Sequence, residues 1–323
     1  MIYFTVCSNN YLGFAKTLCD SLNMRSFSGK VVIFICDRKR GDLDYEAFRD
    51  YRLVFLNELR VPNLDWMVSN YNIIELNTAI KPFAFSWCME NYPDDYFVFL
   101  DPDIFVTGEI GGCVKELGDG NILLTPHILE KVPSDDLTPR EDLFTQYGIY
   151  NLGFLLLRRS AVTTQFLSWW SDRLSVNCFA QAHKGVYVDQ LLMNFVPIFF
   201  EGVVISRNKG LNVAPWNIHE RQLTVSDDSY VLKGGEPLIF YHFSNYELHN
   251  DRGRTHPAYS RHPVESDRVL SLLYQEYAMR LEGNDFRGYR RFAPAFGLQQ
   301  GGATGYKGLG HFLRRKLNAR VWR

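Results

Sequence analysis

Asp101 and Asp103 flank Pro102 directly after the run Tyr96-Phe97-Val98-Phe99-Leu100. Two carboxylates at that spacing offer hard oxygen ligands, the donor type that Mg²⁺ or Mn²⁺ takes while bridging the phosphates of a substrate. The spacing alone carries little weight, because the Asp content of the chain lets chance supply roughly one Asp-x-Asp. A second copy, Asp42-Leu43-Asp44, sits in the polar stretch from Arg38 to Glu46 with no apolar run ahead of it, and reads as a surface loop. The 101–103 copy differs in context. It ends a run with the length and β-propensity of a strand buried on both faces, and open α/β sheets bind ligands at the carboxyl ends of such strands. Desolvating two carboxylates there without a cation is costly.

The elements that must position this pair alternate. Ile2–Cys7 reads as a strand, the polar turn Ser8-Asn9-Asn10-Tyr11 follows, and Leu12–Leu22 has helical periodicity. Further strands are expected at Lys30–Cys36 and Arg52–Leu56, then a helix over 78–90 that leads into the 96–100 strand. Pro82 suits the first turn of a helix, which places the start of this one near Lys81. Strands alternating with helices imply βαβ crossovers and a mixed, mainly parallel sheet flanked by helices. Beyond residue 110, strands are expected at 122–125, 150–157, 203–206 and 237–243, and helices at 161–175 and 186–196, the latter with Asp189 and Gln190 at its start. Residues 130–148 read as a Pro-containing lid or acceptor loop, and 244–262, rich in His, Arg and Asn, as an active-site loop.

Composition narrows the classes. With 323 residues, 46% hydrophobic and 22% charged, the chain is ordinary globular material, and a net charge of −1 argues against a nucleic-acid binder. The 24 Phe and 18 Tyr fit a dense aromatic core or sugar-stacking surfaces. No run is long and apolar enough for a membrane span, and the first residues look like a strand rather than a signal peptide, which implies a cytoplasmic protein. The six cysteines show no Cys-x-x-Cys and no zinc-like His spacing, so they read as reduced core residues. Residues 307–323 hold two Lys and four Arg without an acidic residue, interspersed with Phe312, Leu313, Leu317, Val321 and Trp322. That is the composition of a basic amphipathic helix on an anionic membrane surface, or of a packed or disordered terminal segment.

Four separated segments point the same way: Asn9-Asn10-Tyr11, Asp101-Pro102-Asp103, Asn151-Leu152-Gly153 followed by Asp189-Gln190, and Tyr241-His242-Phe243. In this order, over about residues 1–262, the chain resembles the bacterial nucleotide-sugar glycosyltransferases of the GT-A fold, and most closely their retaining family 8 type. The resemblance implies an α/β, GT-A-like catalytic domain over 1–262, with a nucleotide-binding half (1–110) and an acceptor and sugar half (111–262). A helical extension (263–298) and the basic tail (299–323) would follow. It makes Thr5, Asn10 and Tyr11 the nucleoside edge, with Tyr11 stacking on uracil, and makes Lys81 a contact to donor hydroxyls or phosphate. Asp101, Asp103 and His242 would hold the Mn²⁺ or Mg²⁺, with Pro102 between the first two. Asn151, Asp189 and Gln190 would hold the donor sugar, Gln190 beneath the anomeric carbon.

Each of these residues has a plainer reading. His242 fits a hydrogen-bonded core histidine, Asn151 a strand-start residue satisfying backbone groups, and Asp189 a helix N-cap. Trp216 fits either an acceptor-sugar platform or core packing. The chain also departs from the family: after the histidine it continues Ser244-Asn245-Tyr246-Glu247, without the Gly and Lys-Pro-Trp that grip the diphosphate. Arg252, Arg254, His256 and Arg261 are the candidates to replace that lysine, since guanidinium groups suit bidentate phosphate binding.

The expectation is a metal-dependent hexosyltransferase, cytoplasmic and peripheral on the membrane. It would take a nucleotide-sugar donor, UDP-linked, and pass the sugar to a lipopolysaccharide, capsule or other lipid-linked glycan acceptor. The rivals are a sugar-phosphate nucleotidyltransferase, against which the turn after the first strand lacks a Gly-rich phosphate cradle, and a non-catalytic nucleotide- or sugar-binding module.

Overall fold

The computed structural model describes residues 1–25, 29–249, 252–254, 259 and 261–297. The chain opens with β1 (Ile2–Cys7), α1 (Leu12–Asn23), β2 (Lys30–Ile35) and β3 (Arg52–Phe55). Next come α2 (Leu64–Asn70), α3 (Ile73–Asn91), β4 (Tyr96–Leu100), β5 (Ile104–Val106), α4 (Gly112–Leu117) and β6 (Ile122–Leu124). After α5 (Glu141–Tyr147), β7 (Phe154–Arg158) and α6 (Ala161–Leu174) there is a small hairpin of β8 (Ala180–Gln181) and β9 (Val186–Tyr187). Then follow α7 (Gln190–Met193), α8 (Val196–Phe199), β10 (Val203–Ile205) and the hairpin of β11 (Leu223–Ser226) and β12 (Ser229–Leu232). The last elements are β13 (Phe240–His242), the hairpin of β14 (Glu247–His249) and β15 (Arg252–Arg254), α9 (Arg268–Gly283) and α10 (Phe286–Tyr289).

Seven strands form the central sheet in the order β10-β6-β7-β4-β1-β2-β3. All neighbours are parallel except β7, which runs against both β4 and β6. The mixed, mainly parallel α/β class expected from the alternation is the one observed. Successive side chains of a strand point to opposite faces, and both faces here are covered. Ile2, Phe4 and Val6 of β1, Phe97 and Phe99 of β4, and Leu155 and Leu157 of β7 pack on one side with Ala84 and Phe85 of α3 and Trp170 of α6. Tyr3 and Cys7, Val98 and Leu100, and Phe154 and Leu156 pack on the other with Leu18 and Leu22 of α1. This two-sided burial is why these strands read as continuous apolar runs rather than alternating ones. The aromatic content goes into that core: the Phe4 ring lies 4.6 Å from Phe85 and 5.4 Å from Phe99. All six cysteines are buried free thiols. Burial pushes the Cys7 thiol well above its ordinary range, so core packing describes it.

Several boundaries differ from expectation for identifiable reasons. Helix α3 begins at Ile73, not near Lys81, and carries Pro82 in its interior. The start is set by Asn72, whose side chain accepts from the Ile74 and Glu75 amides while Glu75 reaches back to the Asn72 amide, a reciprocal cap. The stretch 130–148 is not all loop, because α5 occupies Glu141–Tyr147. The strand expected from Tyr150 begins only at Phe154, so Asn151 precedes it. The expected 186–196 helix is instead β9 followed by α7 and α8. Strand β13 does not join the central sheet; it pairs antiparallel with β5, an element the sequence analysis missed. After residue 262, α9 and α10 lie against α1, where Asn284 donates to Thr17 Oγ1 and Asp20 Oδ2, both at 3.0 Å. Residues 298–323, including the basic segment, lie outside the described residues.

The Asn72 cap anchors the helix that carries Lys81, so its removal should register as stability. Asn72→Ala should lower the unfolding free energy by about 1 kcal/mol, read as a lower urea midpoint at unchanged slope. An unshifted midpoint would contradict the cap.

Candidate metal and donor site

Strand β4 ends at Leu100 opposite Phe154, and the Asp101 amide then donates to the Gly153 carbonyl at 2.7 Å. A tight turn follows, closed by the Ile104 amide to the Asp101 carbonyl at 3.1 Å, and it sends the chain into β5. Because β5 pairs with β13, His242 stands opposite Ile104, one residue from Asp103. Its Nε2 lies 3.2 Å from Asp103 Oδ1 and 3.8 Å from Asp101 Oδ2. One ligand atom from each of the three residues lies within 4.8 Å of the others. The carboxylates are partly exposed and the imidazole is buried, so the cluster opens to solvent on its acidic side. Burial alone would depress the imidazole, but Asp103 and Asp101 outweigh it and hold His242 above its ordinary range. Burial raises the Asp101 carboxyl despite the opposing pull of Lys81. Two carboxylates and an imidazole facing one point match the donor set of a divalent ion such as Mn²⁺ or Mg²⁺. The other Asp-x-Asp is what its context implied: Asp42 is exposed and paired to Arg40 at 2.9 Å.

Lys81 projects from α3 into the same region. Its Nζ lies 3.1 Å from Asp189 Oδ2 and 3.5 Å from Asp101 Oδ1, and donates to the Leu152 carbonyl at 3.0 Å. Burial would lower the ammonium pKa, yet the two carboxylates raise it above its usual value, so the charge stays. Asp189 is 2% exposed and occupies the N-cap position of α7, but its side chain makes no capping bond and is committed to Lys81 instead.

Beside this triad lies a line of amides. Asn151 Nδ2 donates to Gln190 Oε1 and approaches His127 Nε2, both at 3.2 Å, and Gln190 Nε2 donates to the Tyr147 carbonyl at 3.0 Å. On its other end, Asn151 Oδ1 accepts from the Gly153 amide at 2.9 Å and from Asn212 Nδ2 at 3.0 Å. Asn212 Oδ1 in turn meets His242 Nδ1 at 3.2 Å. Gly153 is required by this crowding: a Cβ there would sit against His242 Cε1, 2.6 Å from its Nδ1 and 2.9 Å from Asn151 Oδ1. The sequence analysis missed Asn212, His127 and Tyr147. A hint lay in Asn212 and Asn217 flanking the apolar Val213-Ala214-Pro215-Trp216, since polar side chains within a core segment must find partners.

The remaining expected residues are distributed unevenly. Thr5 is wholly buried in β1, and its hydroxyl lacks a hydrogen-bond partner among the described residues. Asn10 Oδ1 accepts from Ser8 Oγ at 2.6 Å, and Tyr11 stacks on Phe14 at 4.8 Å with the Arg290 guanidinium 5.0 Å from its ring. Trp216 is 4% exposed and packs in T-shaped contact with His127 and His242. Arg261 is paired with Asp135 and donates to the Leu137 carbonyl at 3.0 Å, so its guanidinium holds the 135–139 loop rather than awaiting a phosphate. Arg254 lies in β15, and His256 lies outside the described residues.

With this geometry in view, comparison with known proteins defines the class of fold. The chain aligns with the galactosyltransferase LgtC, solved with donor and acceptor sugar analogues, at 14% identity and a TM-score of 0.56 over 90% of this chain and 100% of that one. An active-site mutant of LgtC aligns at 15% identity and a TM-score of 0.51, with the same coverage. The fold is of the GT-A glycosyltransferase type. In sequence, the chain is 26% identical to the uncharacterized protein YfnF of Bacillus subtilis (strain 168) over 171 residues, 53% of this chain and 56% of that protein. It is 24% identical to YfnD of the same organism over 285 residues, 87% of this chain and 88% of that protein. No family model matches the chain.

His127 offers a pH test of the buried amide line. Burial depresses its imidazole to about 4, so it stays neutral in the fold, with Nδ1 facing the Ile149 carbonyl at 3.2 Å. The unfolded chain, titrating near its ordinary value of about 6.5, takes up this proton first. Stability should therefore fall as pH drops from about 6.5 towards 4, by up to about 1.4 kcal/mol per pH unit from this residue. His127→Gln should flatten that part of the unfolding profile measured by urea titration at several pH values; an identical slope would refute the assignment.

Proposed function

We propose that the protein is a metal-dependent glycosyltransferase that moves a hexose from a nucleotide diphosphate sugar, UDP-linked, to a cell-surface glycan acceptor, with retention at the anomeric carbon. The observation that carries this reading is the convergence of Asp101, Asp103 and His242 where β4 ends, beside Lys81 with Asp189 and Asn151 with Gln190. Asp101, Asp103 and His242 would hold the divalent ion, which supplies Lewis-acid compensation for charge on a departing nucleoside diphosphate.

The neighbouring side chains have separable tasks. Lys81 pairs with both Asp101 and Asp189 and opposes the burial that raises the two carboxyls. Asn151 and Gln190 present ordered amides, and Gln190 is only half-buried, so of the pair 189–190 it is the one open to the cleft. Double displacement needs a carboxylate nucleophile beneath the anomeric carbon, yet Asp189 is 2% exposed and engaged by Lys81. The arrangement therefore favours departure and attack on one face, with Gln190 stabilising an oxocarbenium-like species rather than bonding to it. The turn after β1 is held by Asn9, which donates to the Arg38 carbonyl at 2.9 Å; it offers no glycine-rich cradle for triphosphate chemistry.

Incubation with Mn²⁺ and a panel of nucleotide sugars should release nucleoside diphosphate, and Asp103→Ala should cut that release by at least about a hundredfold. Undiminished release would refute the metal reading. Pyrophosphate formed from a nucleoside triphosphate and a sugar phosphate would point to a nucleotidyltransferase instead.

Among the described residues no helix is long and apolar enough to cross a membrane. We assign the basic segment 307–323 to contact with an anionic membrane surface that would carry a lipid-linked acceptor, on composition alone. Truncation after residue 306 should abolish co-sedimentation with phosphatidylglycerol vesicles while leaving donor hydrolysis intact. Equal co-sedimentation of both forms would remove this assignment.

A further inference from the structure

Asn212 has no role in the reaction outlined above, yet its placement is costly and specific. It is wholly buried, and its backbone adopts φ +55, a left-handed conformation that asparagine tolerates better than most residues. Its carbonyl accepts from Asn217 Nδ2 at 3.0 Å, and the carbonyl before it, of Leu211, accepts from the buried Arg221 at 2.6 Å. Arg221 is paired at 3.0 Å with Glu220, whose carboxylate also receives the Leu129 and Glu130 amides. These bonds fix the backbone at Asn212 behind the Asp101, Asp103 and His242 cluster.

The direction of that amide follows from its neighbours. A backbone N–H can only donate, so the Asn151 atom facing the Gly153 amide is its oxygen. The Asn212 atom facing that same oxygen at 3.0 Å must then be its amino nitrogen, which also reaches Thr125 Oγ1 at 3.3 Å. The other end of Asn212, 3.2 Å from His242 Nδ1, is therefore oxygen, and it takes a proton from that nitrogen. With Nδ1 fixed as donor, Nε2 is the ring nitrogen left to turn its lone pair on the point where Asp101 and Asp103 converge. An outer partner that fixes the tautomer and ring orientation of a ligating histidine is worth tenfold to hundredfold in metal affinity, in order of magnitude.

We infer that Asn212 is a positioning residue that locks His242 in the cation-binding tautomer, taking its own direction from Asn151. This rests on the metal reading of the Asp101, Asp103 and His242 cluster.

The test measures Mn²⁺ affinity directly, by electron paramagnetic resonance of the free ion without any donor sugar, in the full chain. Asn212→Gly removes the amide while suiting the left-handed backbone, and should weaken binding by about tenfold to a hundredfold. Binding by Asn212→Gly equal to the unsubstituted protein overturns the inference. Asp103→Ala separates the two layers: if it binds as well as the unsubstituted protein, the metal reading itself falls. A readout that needs no variant is the ¹⁵N spectrum of histidine-labelled, Mg²⁺-loaded protein, where His242 should show a protonated Nδ1. A protonated Nε2 there refutes the assignment.

Discussion

The antiparallel pairing of β5 with β13 sets His242 opposite Ile104, and the cluster with Asp101 and Asp103 exists only because of that register. The Phe243 amide donates to the Asp103 carbonyl at 2.9 Å, so the second carboxylate and the histidine share one ladder. A one-residue slip would turn every side chain of β13 to the other face, sending His242 away and Tyr241 or Phe243 towards the acids. The register is fixed by packing as well as by hydrogen bonds. Tyr241 and Phe243 lie in the cluster formed with Phe105 of β5 and Tyr274 and Tyr277 of α9, and the Phe243 and Tyr277 rings stack at 3.7 Å. The helical extension after residue 262 thus acts on the site from behind, by holding the faces of β13 that do not carry the ligand.

Electrostatics explain why the cluster cannot stand as an ordinary core feature. Asp101 and Asp189 share one buried ammonium, and Asp103 faces His242. A buried charge without compensation costs several kcal/mol, in order of magnitude. Lys81 is divided between Asp101 and Asp189, which leaves Asp103 with the imidazole. A divalent ion at the open side of the cluster would relieve this imbalance. In a site built only for stability, apolar residues of similar volume would serve as well.

Much of this was legible in the sequence and some of it was not. The runs at 2–7 and 96–100 announced themselves because strands covered on both faces are apolar throughout, and the carboxylates after the second run gained weight from that context. Lys81 is expected at the site only through the family resemblance, and its helix starts where the Asn72 and Glu75 cap sets it rather than near Pro82. The 237–243 strand is expected from the sequence but its pairing is not, since its partner β5 is only three residues long and carries no periodicity. The partners of Asn212 and His127 are not legible in the sequence, for a deeper reason. Their meaning lies in which atoms they face, and no spacing along the chain encodes that. Trp216 is the converse case: an aromatic beside a polar site suggests a platform, yet this ring fills the wall behind His242.

The amide line also bears on the choice between Asp189 and Gln190, which composition left open. Gln190 is tied at both ends, its oxygen to Asn151 and its nitrogen to the Tyr147 carbonyl, so it has little freedom to swing. Gly148, at φ +118, lets the chain turn beside it; a Cβ there would approach the Gln190 carbonyl carbon to 3.1 Å. Asp189 is held just as firmly, but by a charge that must be broken for its carboxylate to reach a substrate. Under the proposed reaction, freeing Asp189 would strand Lys81 against Asp101 alone, deep in protein, whereas the neutral Gln190 amide breaks no ion pair. Preorganised dipoles aimed at developing charge need no reorganisation at the moment of reaction. Under that proposal the rigid group beneath the sugar is a neutral amide, and the carboxylate stays a counterion to Lys81.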